Sequence, residues 1–197
     1  MKPIRSVSFD TSFLLKDDSK INVILKLLKR DGIACYVPST VISELDQLKL
    51  WHRINDQAYK RAMSRWRRVD GRIIDFKNRF LSNEFKAQCV SSMGVHHGVK
   101  AEDIINDCNI LVVSLKNGVD LFLSEDFHFT SKITKDVLDE VTNQACIEYH
   151  QMCDEVMYCI DMKTFLAAFH NGSIDLDIIE ARMQNIRKSG KLLGERN

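Results

Sequence analysis

Among its 197 residues the chain has no apolar run approaching the roughly 20 that a membrane-spanning helix needs, so no membrane partner is expected. It has no glycine-rich phosphate loop of the Walker or dinucleotide type, no internal repeat and no low-complexity tract. The opening Met1-Lys2-Pro3-Ile4-Arg5 lacks the hydrophobic region of a signal peptide and enters a strand pattern almost at once. Its six cysteines are scattered through helical and strand patterns, which predicts free buried thiols rather than disulfides. Together these absences predict a cytoplasmic protein. Net charge is also nearly absent, at +1.

What is present is an ordinary globular composition, 45% hydrophobic and 28% charged, in a length that fits one domain spanning 1–197. The near-neutral total hides a polarity. Lys49 to Phe80 carries ten Lys and Arg against three Asp, which leaves the remainder at −6. A basic arm, about 51–80, sits on an acidic body.

Taken in order, Ile4–Phe9 reads as a strand, Lys20–Arg30 as a helix capped by Ser19, and Ile33–Val37 as a second strand. Pro38-Ser39-Thr40 opens a helix carrying Glu44. Residues 55–80 read as helical with a break near Asp70-Gly71, and Ser82–Val99, with His96-His97, mostly as loop. In Ala101–Lys116, Ile104, Cys108, Leu111, Val112 and Leu115 mark one helical face, while Asp103 and Asp107 share another. Val119–Ser124 reads as a strand buried on both faces. A helix over Thr134–Met152, a last strand over Glu155–Ile160, and helices over Lys163–Phe169 and Leu176–Arg187 complete the chain. Alternating strands and helices predict a parallel sheet in a three-layer α/β/α arrangement. Its core would take in about 4–129 plus 155–160, with a C-terminal helical extension over about 161–190.

Four acids occupy addresses that such a fold can gather. Asp10 ends the first strand, Glu44 opens the helix after the second, Asp107 sits on a helix, and Asp126 follows a strand. Carboxyl ends of parallel strands face the ligand crevice, and four carboxylates there repel one another unless a cation sits among them. All are hard oxygen donors suited to one or two Mg²⁺ or Mn²⁺ ions. Thr11, Ser12 and Ser124 are placed to orient a ligand or a water. Taken alone, an acid such as Glu44 is often only a partner for a helix dipole.

The run Phe9-Asp10-Thr11-Ser12 resembles the opening motif of the PIN domain nucleases, and Pro38-Ser39-Thr40-Val41-Ile42-Ser43-Glu44-Leu45 resembles their second acidic motif. Asn106-Asp107-Cys108-Asn109-Ile110, then Gly118 to Phe127, resemble the third and fourth. The match covers roughly residues 4–129. It implies a metal-dependent nuclease, usually acting on RNA, with catalytic and metal-holding roles at Asp10, Glu44, Asp107 and Asp126. Ser124 stands where the family often has threonine. Asp103 and Glu125 are extra acids, so the choice between Asp103 and Asp107, and between Glu125 and Asp126, is open. The basic arm and the last 60 residues exceed the compact, toxin-type VapC-like members. Active alone or with a partner, monomer or homodimer, with or without an antitoxin or larger complex: the sequence leaves these open.

Within the arm, Arg53, Lys60, Arg61, Arg65, Arg67, Arg68 and Arg72 are candidates to hold a phosphate backbone, with Trp66 as a stacking aromatic. A solvated helix face is the bland alternative. Cys146, His150 and Cys153 fall at i, i+4 and i+7 of a helical pattern, but the spacing matches no common structural zinc site, so zinc is not expected. A haloacid dehalogenase type phosphatase would want a second aspartate where Ser12 stands. The other rivals are a DNA-directed nuclease and a binding or scaffold module without turnover.

Overall fold

The computed structural model describes residues 1–76, 79–98 and 100–183. In chain order come β1 (Lys2–Pro3), β2 (Ser6–Phe9), α1 (Thr11–Leu15), α2 (Lys20–Arg30), β3 (Ala34–Pro38), α3 (Ser39–Leu50) and α4 (Asp56–Arg68). There follow β4 (Arg72–Ile74), α5 (Arg79–His97), α6 (Ala101–Lys116), β5 (Leu121–Leu123), α7 (Phe127–Thr130) and α8 (Lys132–Tyr149). Last are β6 (Tyr158–Ile160), α9 (Met162–Ala168), β7 (Phe169–His170), β8 (Ser173–Ile174) and helical turns over 176–183. Of the predicted terminal helix, residues 184–187 lie outside the described residues, as does Lys77, one of the ten cations between Lys49 and Phe80. Among the described residues no helix is long and apolar enough to cross a membrane.

Five strands form an all-parallel sheet in the order β4-β3-β2-β5-β6, and β1, β8 and β7 form a small antiparallel sheet. The central strand β2 is buried along its whole length. Its two faces differ in chemistry. Phe9 stacks on Phe13 of α1 at 5.5 Å, while Ser8 accepts a hydrogen bond from the Ser114 hydroxyl of α6 at 3.2 Å. The predicted strand start at Ile4 moves to Ser6 because the Asp120 carboxylate takes the backbone N–H groups of Arg5 and Ser6.

Right-handed crossovers put helices on both sheet faces, α2 meeting α4 and α9 on one, α5 meeting α6 and α8 on the other. This is the three-layer α/β/α fold. From β2 the chain steps outward through β3 to β4, then crosses back to β5 on the other flank of β2. Strand order therefore reverses at β2, and the crevice beyond its carboxyl end is where such sheets bind ligands.

Helix α6 is buried more fully than one amphipathic face requires. Ile110 and Val113 join Ile104, Cys108, Leu111, Val112 and Leu115 in the core. The cause is α5, which covers α6 from outside and replaces the loop expected over Ser82–Val99 with helix as far as His97; Val99 lies outside the described residues. Phe85, Cys89 and Met93, four apart, are fully buried along it. A stripe one residue wide, set among Ser, Gly and His, gives little periodic signal.

Two further expectations are corrected. The helical reading through 55–80 breaks into α4 and the three-residue edge strand β4. The helix expected to run to Met152 stops at Tyr149, with His150 in the left-handed region at φ 51°. That reversal brings Cys153 back onto Cys146 as a disulfide, Cα–Cα 4.6 Å, so the expected free thiols and the i, i+4, i+7 alignment do not hold there. Cys35, Cys89, Cys108 and Cys159 are free and buried.

Gly71 ends the α4 turn by donating its N–H to the Trp66 carbonyl at 3.0 Å, beneath the Trp66 ring. A Cβ there would lie 2.8 Å from that carbonyl oxygen and 3.0 Å from ring atom Cε3. Gly71→Ala is expected to cost about 1–3 kcal/mol in urea denaturation, whereas Gly32→Ala meets no atom and pays only for its positive φ.

Candidate active site

The strand ends set the site. Asp10 follows β2 directly and is the N-cap of α1, while Asp126 follows β5 by three residues and is the N-cap of α7. A short polar side chain that must accept a backbone N–H at a helix start is thereby fixed at the carboxyl edge of the sheet.

Asp10 is buried, with 4% of its surface exposed. Its Oδ2 accepts from the Ser12 N–H at 3.1 Å, the Ser12 hydroxyl at 2.5 Å and the Ser124 hydroxyl at 2.9 Å. The two hydroxyls are themselves pinned, Ser12 Oγ accepting from Glu125 N at 2.9 Å and Ser124 Oγ from Asp126 N at 3.0 Å. One carboxylate oxygen thus ties the end of β2 to the end of β5. Glu44, in the second turn of α3, accepts from the Thr11 hydroxyl at 2.6 Å. Asp126 Oδ1 accepts from His128 N at 2.8 Å.

Burial holds Asp10 above the usual carboxylate range in spite of the hydrogen bonds from Ser12 and Ser124. Burial also raises Glu44, with the Asp10 charge adding to it and the Thr11 hydrogen bond opposing. Asp107 is pushed up to about 7, first by burial and then by the charges of Asp10, Asp126 and Glu44, in that order. The acid on α6 therefore feels all three others. Among the described residues no Lys or Arg charge offsets the repulsion on Glu44 or Asp107.

The remaining acids go elsewhere. Glu125 accepts from the Met162 N–H at 2.8 Å and pairs with Lys16 at 3.1 Å, buttressing α9 and α1 rather than joining the cluster. Asp103 is exposed on α6 and is not among the charges acting on Asp107. A contact that sequence reasoning missed lies between Asn109 of α6, which donates through Nδ2, and the Thr40 hydroxyl of α3. It clamps together the helices bearing Asp107 and Glu44. Thr40 stands four residues before Glu44 on the same helix face, the one sequence signal for it.

The donor set fits a hard divalent cation in type and charge: four carboxylates, three of them with a raised pKa, by burial in each case and by neighbouring carboxylate charge at Glu44 and Asp107 as well. Among the described residues no three His, Cys, Asp or Glu side chains already stand as a closed ligand group.

The basic arm divides. Arg53, Lys60, Arg67, Arg68 and Arg72 are exposed. Arg61 pairs with Asp17 at 3.1 Å. Arg65, expected to hold phosphate, is instead buried at 3% exposure, and its Nη1 donates to the carbonyls of Leu14 and Lys16 at 2.6 Å each. It satisfies the carbonyls at the end of α1. Trp66 is half-buried against the core, so it is no open platform for a base.

Ser124→Ala should lower any activity of this site about 10- to 100-fold, by removing the hydroxyl that joins Asp10 to Asp126 N, whereas Ser124→Thr retains it. Initial rates of the two variants at saturating metal check this.

No curated protein matches the chain. The family model of the PIN domain matches residues 8–141, which run from the middle of β2 into α8 and contain all four acids with their supporting hydroxyls. By its sequence, by its parallel sheet and by the acids at the carboxyl edge of that sheet, the chain belongs to the PIN domain family, whose members are in general nucleases.

Proposed function

We propose that the protein is an endoribonuclease that hydrolyses phosphodiester bonds at the Asp10, Glu44, Asp107 and Asp126 cluster with Mg²⁺ or Mn²⁺. The observation that carries this reading is the convergence of acids from widely separated parts of the chain: the Ser124 hydroxyl joins Asp10 to the Asp126 N–H, the Thr11 hydroxyl beside Asp10 bonds Glu44, and Asn109 bonds Thr40 to tie the helix of Asp107 to that of Glu44. The four carboxylates would hold the cation. When bound, such an ion supplies Lewis-acid activation of water and stabilises charge on the leaving oxygen. Ser12 and Ser124 keep the Asp10 carboxylate oriented, Thr11 does the same for Glu44, and the Asn109–Thr40 clamp fixes α3 against α6. The exposed cations of the arm suit a polyanionic substrate. RNA is chosen over DNA because the family that the chain resembles usually acts on RNA.

The test is labelled single-stranded RNA and matched DNA incubated with Mn²⁺, Mg²⁺ or a chelator, for wild type and an identically prepared Asp10→Asn variant. Expected are internal cuts in RNA that need metal and fall by at least about 10³-fold in the variant. Equal cutting by both proteins would refute the assignment. Binding without cutting by wild type would favour a non-catalytic module, and preferential cutting of DNA would change the substrate class.

A further inference from the structure

The outward side of α4 forms an open groove lined, among the described residues, by Tyr59, Lys60, Met63, Ser64, Arg67 and Arg68. These positions repeat at helical spacing, so they form one continuous stripe, about 10 Å long from Lys60 to Arg67 at 1.5 Å per residue. Three properties coincide there.

The first is uncompensated charge. Among the described residues, Lys60, Arg67 and Arg68 have no carboxylate within ion-pair distance, whereas Lys49 pairs with Asp56 at 3.5 Å and Arg61 with Asp17 at 3.1 Å. Among the described residues the one hydrogen bond of these three side chains is Arg68 Nη1 to Asn22 Oδ1, a long 3.4 Å. The second is an oriented aromatic. The Tyr59 hydroxyl donates to Asp46 at 2.7 Å and its ring lies under the Lys49 ammonium at 4.7 Å, which fixes the ring while it lines the groove. The third is support for one cation: the Arg67 guanidinium sits 5.9 Å from the Trp66 ring centre.

Cations alone would suit any polyanion. Cations flanking an apolar floor of tyrosine and methionine suit a polyanion whose bases are free to lie on it. A duplex keeps its bases stacked inside and meets only the charges. We propose that the α4 groove holds single-stranded RNA, with Lys60, Arg67 and Arg68 on phosphates and Tyr59 against a base. The inference rests on the nuclease reading for its choice of RNA, and it excludes Arg65 and Trp66 from the strand-holding set.

The experiment is fluorescence anisotropy on the full chain in chelator, so that no cutting intervenes. The probes are a labelled single-stranded RNA and a hairpin of the same length. Lys60→Gln/Arg67→Gln/Arg68→Gln is compared with Lys20→Gln/Lys26→Gln/Lys163→Gln, which removes equal charge from exposed sites outside the basic arm. The first triple variant should bind the single strand about 10- to 100-fold more weakly, with the slope of log K against log salt reduced by about 2. The second should lose less than about 3-fold. Tyr59→Leu should weaken the single strand about 10-fold and leave the hairpin unchanged, with Tyr59→Phe close to wild type.

Equal losses in the two triple variants, equal effects on hairpin and single strand, or displacement of RNA by polyglutamate at equal charge would each overturn the proposal. The two readings fail separately. Tight groove-dependent binding by a protein that never cuts removes the nuclease and keeps the groove. Metal-dependent cutting with unimpaired binding in the first triple variant does the reverse.

Discussion

Asp107→Asn is expected to do two opposite things: reduce cleavage by about 10³-fold or more, and make the metal-free protein more stable at pH 8. The loss follows from the role proposed for Asp107, one of four carboxylates that would hold the cation. The gain follows from the repulsion it relieves, since Asp107 is raised to about 7 by burial and by Asp10, Asp126 and Glu44. The sign follows from proton binding. With its folded value above the ordinary 3.8, Asp107 binds more protons in the native than in the unfolded chain between those two values. Metal-free stability therefore falls as pH rises from about 4 to about 7, and the raised Asp10 and Glu44 act in the same sense. Asn at position 107 should flatten that slope and raise the melting temperature at pH 8 by roughly 2–4 °C per kcal/mol relieved. At pH 4 it should change little. Mn²⁺ at about 100 times its dissociation constant should raise wild type by roughly 5–10 °C and the variant by less. Differential scanning fluorimetry across pH, with and without metal, reads all of this. A variant less stable than wild type at pH 8 would show that the carboxylates do not repel one another as described.

Arg65→Met is expected to cost about 3 kcal/mol of stability while leaving RNA affinity in chelator within about 2-fold. The methionine fills similar apolar volume, but the carbonyls of Leu14 and Lys16 lose their donor inside the protein. Burial already holds the Arg65 guanidinium below its ordinary pKa, in keeping with a side chain only 3% exposed. Because α1 begins at Asp10 and ends at these carbonyls, loosening its far end should also lower cleavage, as a loss in kcat with KM nearly unchanged. Urea denaturation gives the first number, anisotropy the second and steady-state kinetics the third. A large drop in RNA affinity with unaltered stability would return Arg65 to the phosphate-binding set.

The contrast between Asp107 and Arg65 shows what a one-dimensional reading can reach. Each of the four acids stands beside a strand end or on a strongly patterned helix, and in a parallel sheet those addresses imply a shared edge. Their coupling was thus legible from Asp10, Glu44, Asp107 and Asp126 alone. Arg65 was not, because an arginine clasping carbonyls and one waiting for phosphate look identical among Arg67 and Arg68. α5 escaped notice because Phe85, Cys89 and Met93 make a stripe too narrow to stand out. The Cys146–Cys153 pair depends on His150, a residue that gives no warning of a left-handed turn. Glu125 was set beside Asp126 by sequence, but its contacts with Lys16 and Met162 turn it toward α1 and α9.

The reversal of strand order at β2 has a consequence for the chain as it is made. Asp10 and Glu44 leave the ribosome 63 or more residues ahead of Asp107 and Asp126, a delay of roughly 3 s or more at about 5–20 residues per second. Throughout that interval β2 lacks β5 on one flank, and Asp10 lacks the Ser124 hydroxyl. A nascent chain therefore carries only half of the acid cluster until α6 and β5 have followed β2 and α3.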